Sequence, residues 1–322
     1  MALSDMQVYN NEIAGLAIEL LGQNINLFNA SSGGAIVLDS NSWRGDYTKE
    51  SFFNTLASAQ RRVDRYAANG AQAATDLSQS EMVGVKVGGG FGPVLFEPSQ
   101  LTWLMQSPEA AIPVIAEGFA NALLADQVNT AVGAAVAAIE NVAALTNDVS
   151  ASAGMTQNVL NGSHAKFGDM SGMLITDVMT GAVYHKLIDQ ALTNSTQLFQ
   201  AGNVTIMEIL GKRIVVSDIP ALYAAGTPNK SKVLSLTAGG IIVDNASDVI
   251  TNMEQTNGKE RIETTWQADY SFGLKVKGFA WDIANGGKSP VDAELFTGSN
   301  WDQVVSSIKH TAGTIAVANA DQ

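Results

Sequence analysis

Residues 264–277 read TTWQADYSFGLKVK, and residues 107–139 read SPEAAIPVIAEGFANALLADQVNTAVGAAVAAI; these two stretches decide the fold. In the first, Trp266, Ala268, Tyr270, Phe272, Leu274 and Val276 alternate with Thr265, Gln267, Asp269, Ser271, Lys275 and Lys277. Successive strand side chains point to opposite faces, so this period of two predicts a strand with one face buried. At about 3.3 Å per residue it spans roughly 46 Å, more than twice the usual strand length. In the second, Ser107 can cap a helix, Pro108 suits its first turn and Glu109 faces the positive end of its dipole. Ile112, Ile115, Phe119 and Leu123 form one apolar stripe, which Leu124, Val128, Val132, Val136 and Ile139 continue after a phase slip. Pro113 predicts a bend in the first turns. A helix over residues 107–140 reaches about 48 Å. A compact globule of 322 residues is about 50 Å across. The expectation is an α+β plate with the helix laid along the strand.

Outward from this pair the signals are shorter. Residues 5–21 read as an amphipathic helix, capped by Ser4 and ended by Gly22. NINLF (24–28) and GAIVL (34–38) look β-like, and residues 49–78 are polar and helix-compatible, with Arg61, Arg62 and Arg65 the densest basic cluster. EMVGVKVGGGFGPVLF (81–96) alternates around Val83, Val85 and Val87 before a glycine-rich bend. Two β-like pieces enclosing a polar excursion predict a hairpin arm over 31–95 that adds little to the core and lies on something else. Residues 145–163 read as a hinge into a mixed region with a helix at 175–193, a strand RIVVSDIP (213–220) and paired runs KVLSLT (232–237) and GGIIVD (239–244). The tail after Thr311 looks extended and ends unpacked.

Composition narrows the function classes. With no cysteine, disulfides and thiolate metal sites are impossible, and His164, His185 and His310 lie too far apart for a local metal motif. The chain carries 18 basic and 31 acidic residues, net −13, which argues against a binder that neutralises phosphates. Charged residues make up only 15%, low enough to suggest surface covered by partners. The N-terminus lacks a basic n-region, and the longest apolar run, Ala131–Ile139, is about half a bilayer span, so a soluble cytoplasmic product is expected. Gly88, Gly90 and Pro93 fail the GxGxxG pattern, and Ala284–Ser289 resembles a Walker ending with Asp282 where its first glycine belongs and Pro290 where its helix should begin. Ser163 beside His164 does not supply a nucleophile and base, and His185 reads as structural. No catalytic, cofactor or metal constellation emerges.

The ordered set of elements resembles the major capsid protein of tailed bacteriophages, the Hong Kong 97 type. GDYTKESFF and EMVGVKVGGGFGPVLFEPSQLTWL look like the two sides of its extended loop, and LLADQVNTAVGAAVAAI like its spine helix. FGDMSGMLITDVMTGAVYHKLIDQALTN with ILGKRIVVSDIP is similar to the axial-domain helix and strand, and NWDQVVSSIKHTAGTIAVAN to the closing tail. The resemblance implies an N-terminal arm (1–30), an extended loop (31–95), a peripheral domain (96–145 and 261–300) and an axial domain (146–260 and 301–322). It implies a non-enzymatic shell protein of a double-stranded DNA phage, forming hexamers and pentamers of an icosahedral head without sequence-specific DNA binding. Implied partners are further copies, a separate scaffolding protein, a portal protein and, in some heads, a decoration protein; no membrane or cofactor is implied. The head shell of the virion, assembled in the host bacterial cytoplasm, is the implied location. Trp43, Arg44, Asp46, Arg61, Arg62 and Lys86 are the candidate inter-subunit contacts. Three other readings stay open at this point: an encapsulin-like cellular shell, a filament or surface-layer protein, and a hydrolase or sugar-binding protein.

Overall fold

A computed structural model describes residues 3–39, 43–53, 59–100, 102, 108–194, 208–209, 211–245 and 248–322. Helix α1 (Leu3–Ser31) opens the chain and strand β1 (Ile36–Asp39) follows. Next come β2 (Tyr47–Phe53), β3 (Gln79–Phe96) and helix α2 (Pro108–Glu140). The middle of the chain supplies β4 (Thr146–Asp148), α3 (Gln157–His164), β5 (Leu174–Met179), α4 (Gly181–Asn194), β6 (Glu208–Ile209), β7 (Lys212–Val216), β8 (Tyr223–Ala224) and β9 (Lys230–Thr237). The last part holds β10 (Ile241–Asn245), β11 (Ile250–Thr256), β12 (Glu263–Val276), β13 (Phe279–Trp281), α5 (Ile283–Gly286), α6 (Asp292–Leu295), β14 (Trp301–Gln303) and β15 (Gly313–Asn319).

The alternating stretch is β12, the long axis of a six-stranded sheet ordered β1-β10-β12-β3-β2, with β11 also paired to β12. Trp266, Ala268, Tyr270, Phe272, Leu274 and Val276 are all buried, whereas Gln267 and Asp269 are exposed. The predicted helix is α2, and its apolar stripe meets that buried face. Phe119 sits edge-on to Trp266 with centroids 5.3 Å apart, Phe91 joins both rings, and the Tyr270 hydroxyl donates to Asp126 Oδ2 at 2.7 Å. Burial raises the Asp126 carboxyl above the usual range, the Tyr270 hydrogen bond pulls it back in part, and Asp292 adds to the rise. From Ala131 to Ile139 every residue of α2 is buried, because this half passes beneath a second sheet.

That seven-stranded sheet is ordered β4-β15-β9-β5-β7-β6, with β8 at the edge of β9. Both faces are covered. Leu234, Leu236, Ile315 and Val317 face the core shared with α2, whereas Val233, Ala316, Ala318 and Met179 face α3 and α4 through Leu160, Val183 and Leu187. Strands buried on both faces read as continuous apolar runs. The tail after Thr311 is extended as expected, but it is packed further than expected: all seven residues of β15 are buried between β4 and β9, and only Asp321 and Gln322 at the end are exposed.

Other expectations are corrected by packing. Helix α1 does not stop at Gly22 but continues through NINLF, and Ser4 lies inside it. Ile13, Ala17 and Leu21 bury one face in the main core, and Trp266 Nε1 donates to Asn10 Oδ1 at 2.9 Å. The glycine-rich stretch is not a bend; it lies within the 18-residue strand β3. A side chain at Gly89 would overlap the Tyr270 ring, and one at Gly92 (φ 97°) would meet the Trp266 carbonyl. The helix expected at 175–193 is two elements, β5 and α4. The runs expected to pair do not: β9 belongs to the second sheet and β10 to the first, beside β1 and β12. The block 146–260 is therefore divided, since β10 and β11 belong with β12. The proposed cap Ser107 lies outside the described residues.

The expectation that 31–95 adds little to the core fails at both ends. Ile36 and Leu38 of β1, and Val83, Val85 and Val87 of β3, are core residues because β1 and β3 pair into the main sheet. What leaves the body is the part between them.

Candidate assembly surfaces

Strand β2 pairs antiparallel with the first part of β3, from Tyr47 opposite Val85 to Phe53 opposite Gln79. From Val85 onward β3 pairs with β12 instead, so the β2–β3 ribbon continues past the end of the main sheet's long strand. No residue of β2 is buried. Beyond it, residues 60–78 run without helix or strand and every one is exposed, which corrects the helix-compatible reading of this stretch. Four large apolar side chains stand in water here: Phe53 is 63% exposed, Val63 62%, Tyr66 99% and Leu77 53%. A two-stranded ribbon with neither face covered is marginal alone. Large apolar groups carried into water on such a projection suit a contact surface.

The root of the ribbon is pinned by charge and by one indole. Trp43 is only 6% exposed, lies over Gly273 and Gly84, and donates from Nε1 to the Gly45 carbonyl at 3.0 Å. A methyl group at either glycine would overlap the ring. Lys275 sits over the indole, 5.3 Å from its centroid, and pairs with Glu50 at 2.7 Å and Asp244 at 3.2 Å. Burial pulls the Lys275 ammonium down, but Glu50 and Asp244 outweigh it and hold its pKa above the ordinary lysine value. Lys86 meets Asp248 at 2.8 Å, and Asp46 meets Lys288 at 3.0 Å. Asp248 also accepts from Ser271. Its carboxyl is raised by burial and lowered further by these two donors, so its pKa lies below the usual range.

The sequence-derived contact candidates thus fall in two groups. Trp43, Asp46 and Lys86 converge at the root and are engaged within the chain. Arg44 is exposed beside them, and Arg61 and Arg62 are exposed on the 60–78 segment. Sequence reasoning missed Lys275, Glu50, Asp244, Asp248 and Lys288, whose pairing depends on strand register. It also missed Tyr66 and Phe53. Their signal was present: large aromatics inside a polar stretch that offers nothing to bury them.

Residues that invite a catalytic reading are arranged otherwise. The Ser163 hydroxyl donates to Thr314 Oγ1 at 3.0 Å, away from its neighbour His164. His164 Nε2 instead lies 3.1 Å from both Asp177 Oδ1 and Ser235 Oγ, all three buried. A relay needs the acid on one ring nitrogen and the hydroxyl on the other, so one shared nitrogen makes this a packed polar cluster of the second sheet. His185 is exposed, edge-on to Tyr184. Ala284–Ser289 forms α5 and the turn after it: Asp282 caps the helix, and Lys288 goes to Asp46. Among the described residues no three potential ligands group as a metal site. Helix α2 is long and apolar enough to cross a bilayer, but 72% of its apolar window is buried inside the protein, as in a core helix.

The comparisons with known proteins agree with this geometry. A family model described as major capsid protein 13-like matches residues 5–315. Among solved structures, the capsid asymmetric unit of cyanophage Pam1 is similar with a TM-score of 0.53 at 12% identity, covering 88% of each chain. A structure from Microbacterium phage Oxtober96 gives a TM-score of 0.49 at 11% identity, covering 90% of each chain. The likeness in fold rests on the first of these. No curated protein matches the sequence.

Proposed function

The chain belongs to the major capsid protein 13-like family, and from that premise we propose that its copies close into hexamers and pentamers of an icosahedral phage head around double-stranded DNA. The observation that carries the reading is the exposed ribbon and its 60–78 segment, which hold Phe53, Val63, Tyr66 and Leu77 in water while the root is fixed to the body. Each copy lays this projection on a neighbour, so Phe53, Val63, Tyr66 and Leu77 leave water on assembly. Contacts between unlike surfaces close into rings when the rotation between copies closes, and rings tile a shell. The role is structural, with no turnover. A net charge of −13 suits a wall that holds nucleic acid without gripping it.

In this reading α1 is the arm, the ribbon with 60–78 the extended loop, the β12 sheet with the first half of α2 the peripheral domain, and the β9–β15 sheet the axial domain. Arg44, Arg61 and Arg62 are the candidate contacts that remain free to reach a neighbour. A scaffolding protein, a portal protein and, in some heads, a decoration protein complete the assembly in the host bacterial cytoplasm. Negative-stain microscopy of the purified protein, with and without its scaffolding partner, tests the proposal. Closed particles are expected; a monomer at every concentration in both samples contradicts it.

A further inference from the structure

The chain contains four Asn-Gly pairs, at 69–70, 161–162, 257–258 and 285–286, and the fold treats them differently. This dipeptide is chemically reactive because glycine leaves the following amide nitrogen unshielded. Asn161 and Gly162 lie inside α3, whose helical backbone holds that nitrogen away from the asparagine side chain. The Gly286 amide is spent on the Asp282 carbonyl at 2.8 Å, and Asn285 Nδ2 donates to Asp282 Oδ2 at 2.5 Å. Asn257 and Gly258 are exposed, but they sit in the turn between β11 and β12, with Thr256 and Glu263 paired at its base. Asn69 and Gly70 are exposed within 60–78, with neither helix nor strand around them. A side chain added at Gly70 would meet nothing within 4 Å.

We propose that Asn69 is a site of spontaneous self-modification, with water as its only co-reactant. Solvent hydroxide removes the Gly70 amide proton, and the nitrogen attacks Asn69 Cγ. The Cγ–Nδ2 bond breaks and ammonia leaves, closing a five-membered succinimide. Water then opens either carbonyl–nitrogen bond, giving aspartate or its isomer with the backbone routed through the side chain. No oxidant or reductant enters.

The charge balance gives the reaction a consequence. Residues 60–78 carry Arg61, Arg62 and Arg65 against Asp64 and Asp76, a net +1 on a chain of net −13. The new carboxylate brings the segment to zero, so it loses its attraction for an acidic neighbour. The chemistry stands on the free chain alone, whereas this consequence rests on the assembly reading above. Unassembled subunits would then age out of competence, and docking would protect those already placed.

Incubating the free protein in mildly alkaline buffer and mapping its peptides by mass spectrometry tests the site, each event adding about 1 Da. Local opening sets the rate at a protected pair, so Asn69 should convert at least about tenfold faster than Asn161 or Asn285, with Asn257 between them. Equal rates at the four pairs, or Asn257 outrunning Asn69, overturns the assignment. Gly70→Ala, for which there is open space, should slow conversion at Asn69 and leave the melting temperature unchanged; an unaltered rate overturns the mechanism. In assembled particles, confirmed by microscopy, Asn69 should convert more slowly than in the free protein. Equal rates there overturn the protective role while leaving assembly intact, and a failure to form particles counts against assembly alone.

Discussion

From Val85 to Phe96, β3 runs beside β12 against helix α2; from Gln79 to Val85 the same strand pairs with β2 out in the ribbon. Both regions carry aromatic side chains. In the seam Phe91, Phe119, Trp266 and Tyr270 cover one another. In the ribbon and the segment beyond it, Phe53 and Tyr66 lie open. What differs is the covering surface: the seam is completed by its own chain, and the ribbon, in the proposed assembly, by another copy. The subunit's stability and its assembly are thereby assigned to different residues, and substitutions can separate them.

The largest effect is expected at the centre of the seam. Phe272 is fully buried, and Phe272→Asp would place a carboxylate in apolar surroundings at a cost of several kcal/mol. Soluble expression should fail; wild-type solubility would show that the seam does not hold the subunit. Trp266→Ala is less drastic. It removes a fully buried indole, two edge-on ring contacts and the partner of Asn10, at about 3–5 kcal/mol. A urea titration should show a lower midpoint with unchanged slope.

In the other region the expected order of effects is reversed. Tyr66→Ala should alter subunit stability by no more than about 0.5 kcal/mol, because the side chain is 99% exposed. The yield of closed particles, counted by light scattering and microscopy, should nevertheless fall. Wild-type yield would remove Tyr66 from the contact surface, and a lost melting transition would assign it to the core.

The smallest effects are pH dependences of opposite sign. The Asp126 carboxyl in the seam is raised by burial and by Asp292 against the Tyr270 hydrogen bond, so the folded protein keeps a proton that the unfolded chain has lost. Its stability contribution therefore falls as pH rises from the ordinary carboxylate value through the raised one. Asp126→Asn should flatten that part of the profile. At the ribbon root the Asp248 carboxyl is depressed, because the Lys86 and Ser271 donors outweigh its burial. That contribution is present above the ordinary value and is lost as pH falls through the depressed one. With its side chain 40% exposed, the Lys86–Asp248 pair contributes under about 1 kcal/mol after solvent screening. Thermal melts of Asp126→Asn and Asp248→Asn across the acidic range separate the two; slopes of the same sign would contradict the assignment.

The legible parts of the fold were those with one wet face. Strand β12 and the first half of helix α2 each leave a polar side in solvent, and their periods survive in the sequence. Strands β5 and β15 are covered on both faces, so no alternation marks them. The full length of α1 was legible but misread: Ile13, Ala17, Leu21, Ile25 and Phe28 continue one helical stripe through Gly22, which exposed helix interiors tolerate. The glycines of β3 could not be understood from sequence, because their reason is the register that lays Tyr270 and Trp266 beside them. The ribbon's second strand was legible in the alternation of 81–87, but its first was not. NINLF belongs to α1 and GAIVL to the main sheet, whereas the polar Tyr47–Phe53 that forms β2 read as helix-compatible and was placed only by the resemblance. The ribbon's root was not legible either, since Lys275 meets Glu50 across 225 residues of chain.

Hydrogen exchange read by mass spectrometry on the free subunit and on assembled particles tests the division of labour most directly. Peptides from α2, β12 and Val85–Phe96 should be protected in both samples, because their own chain covers them. Peptides from 47–84 should exchange quickly in the free subunit and become protected on assembly. Strong protection of 60–78 in the free subunit, or equally fast exchange there in both samples, would contradict the account.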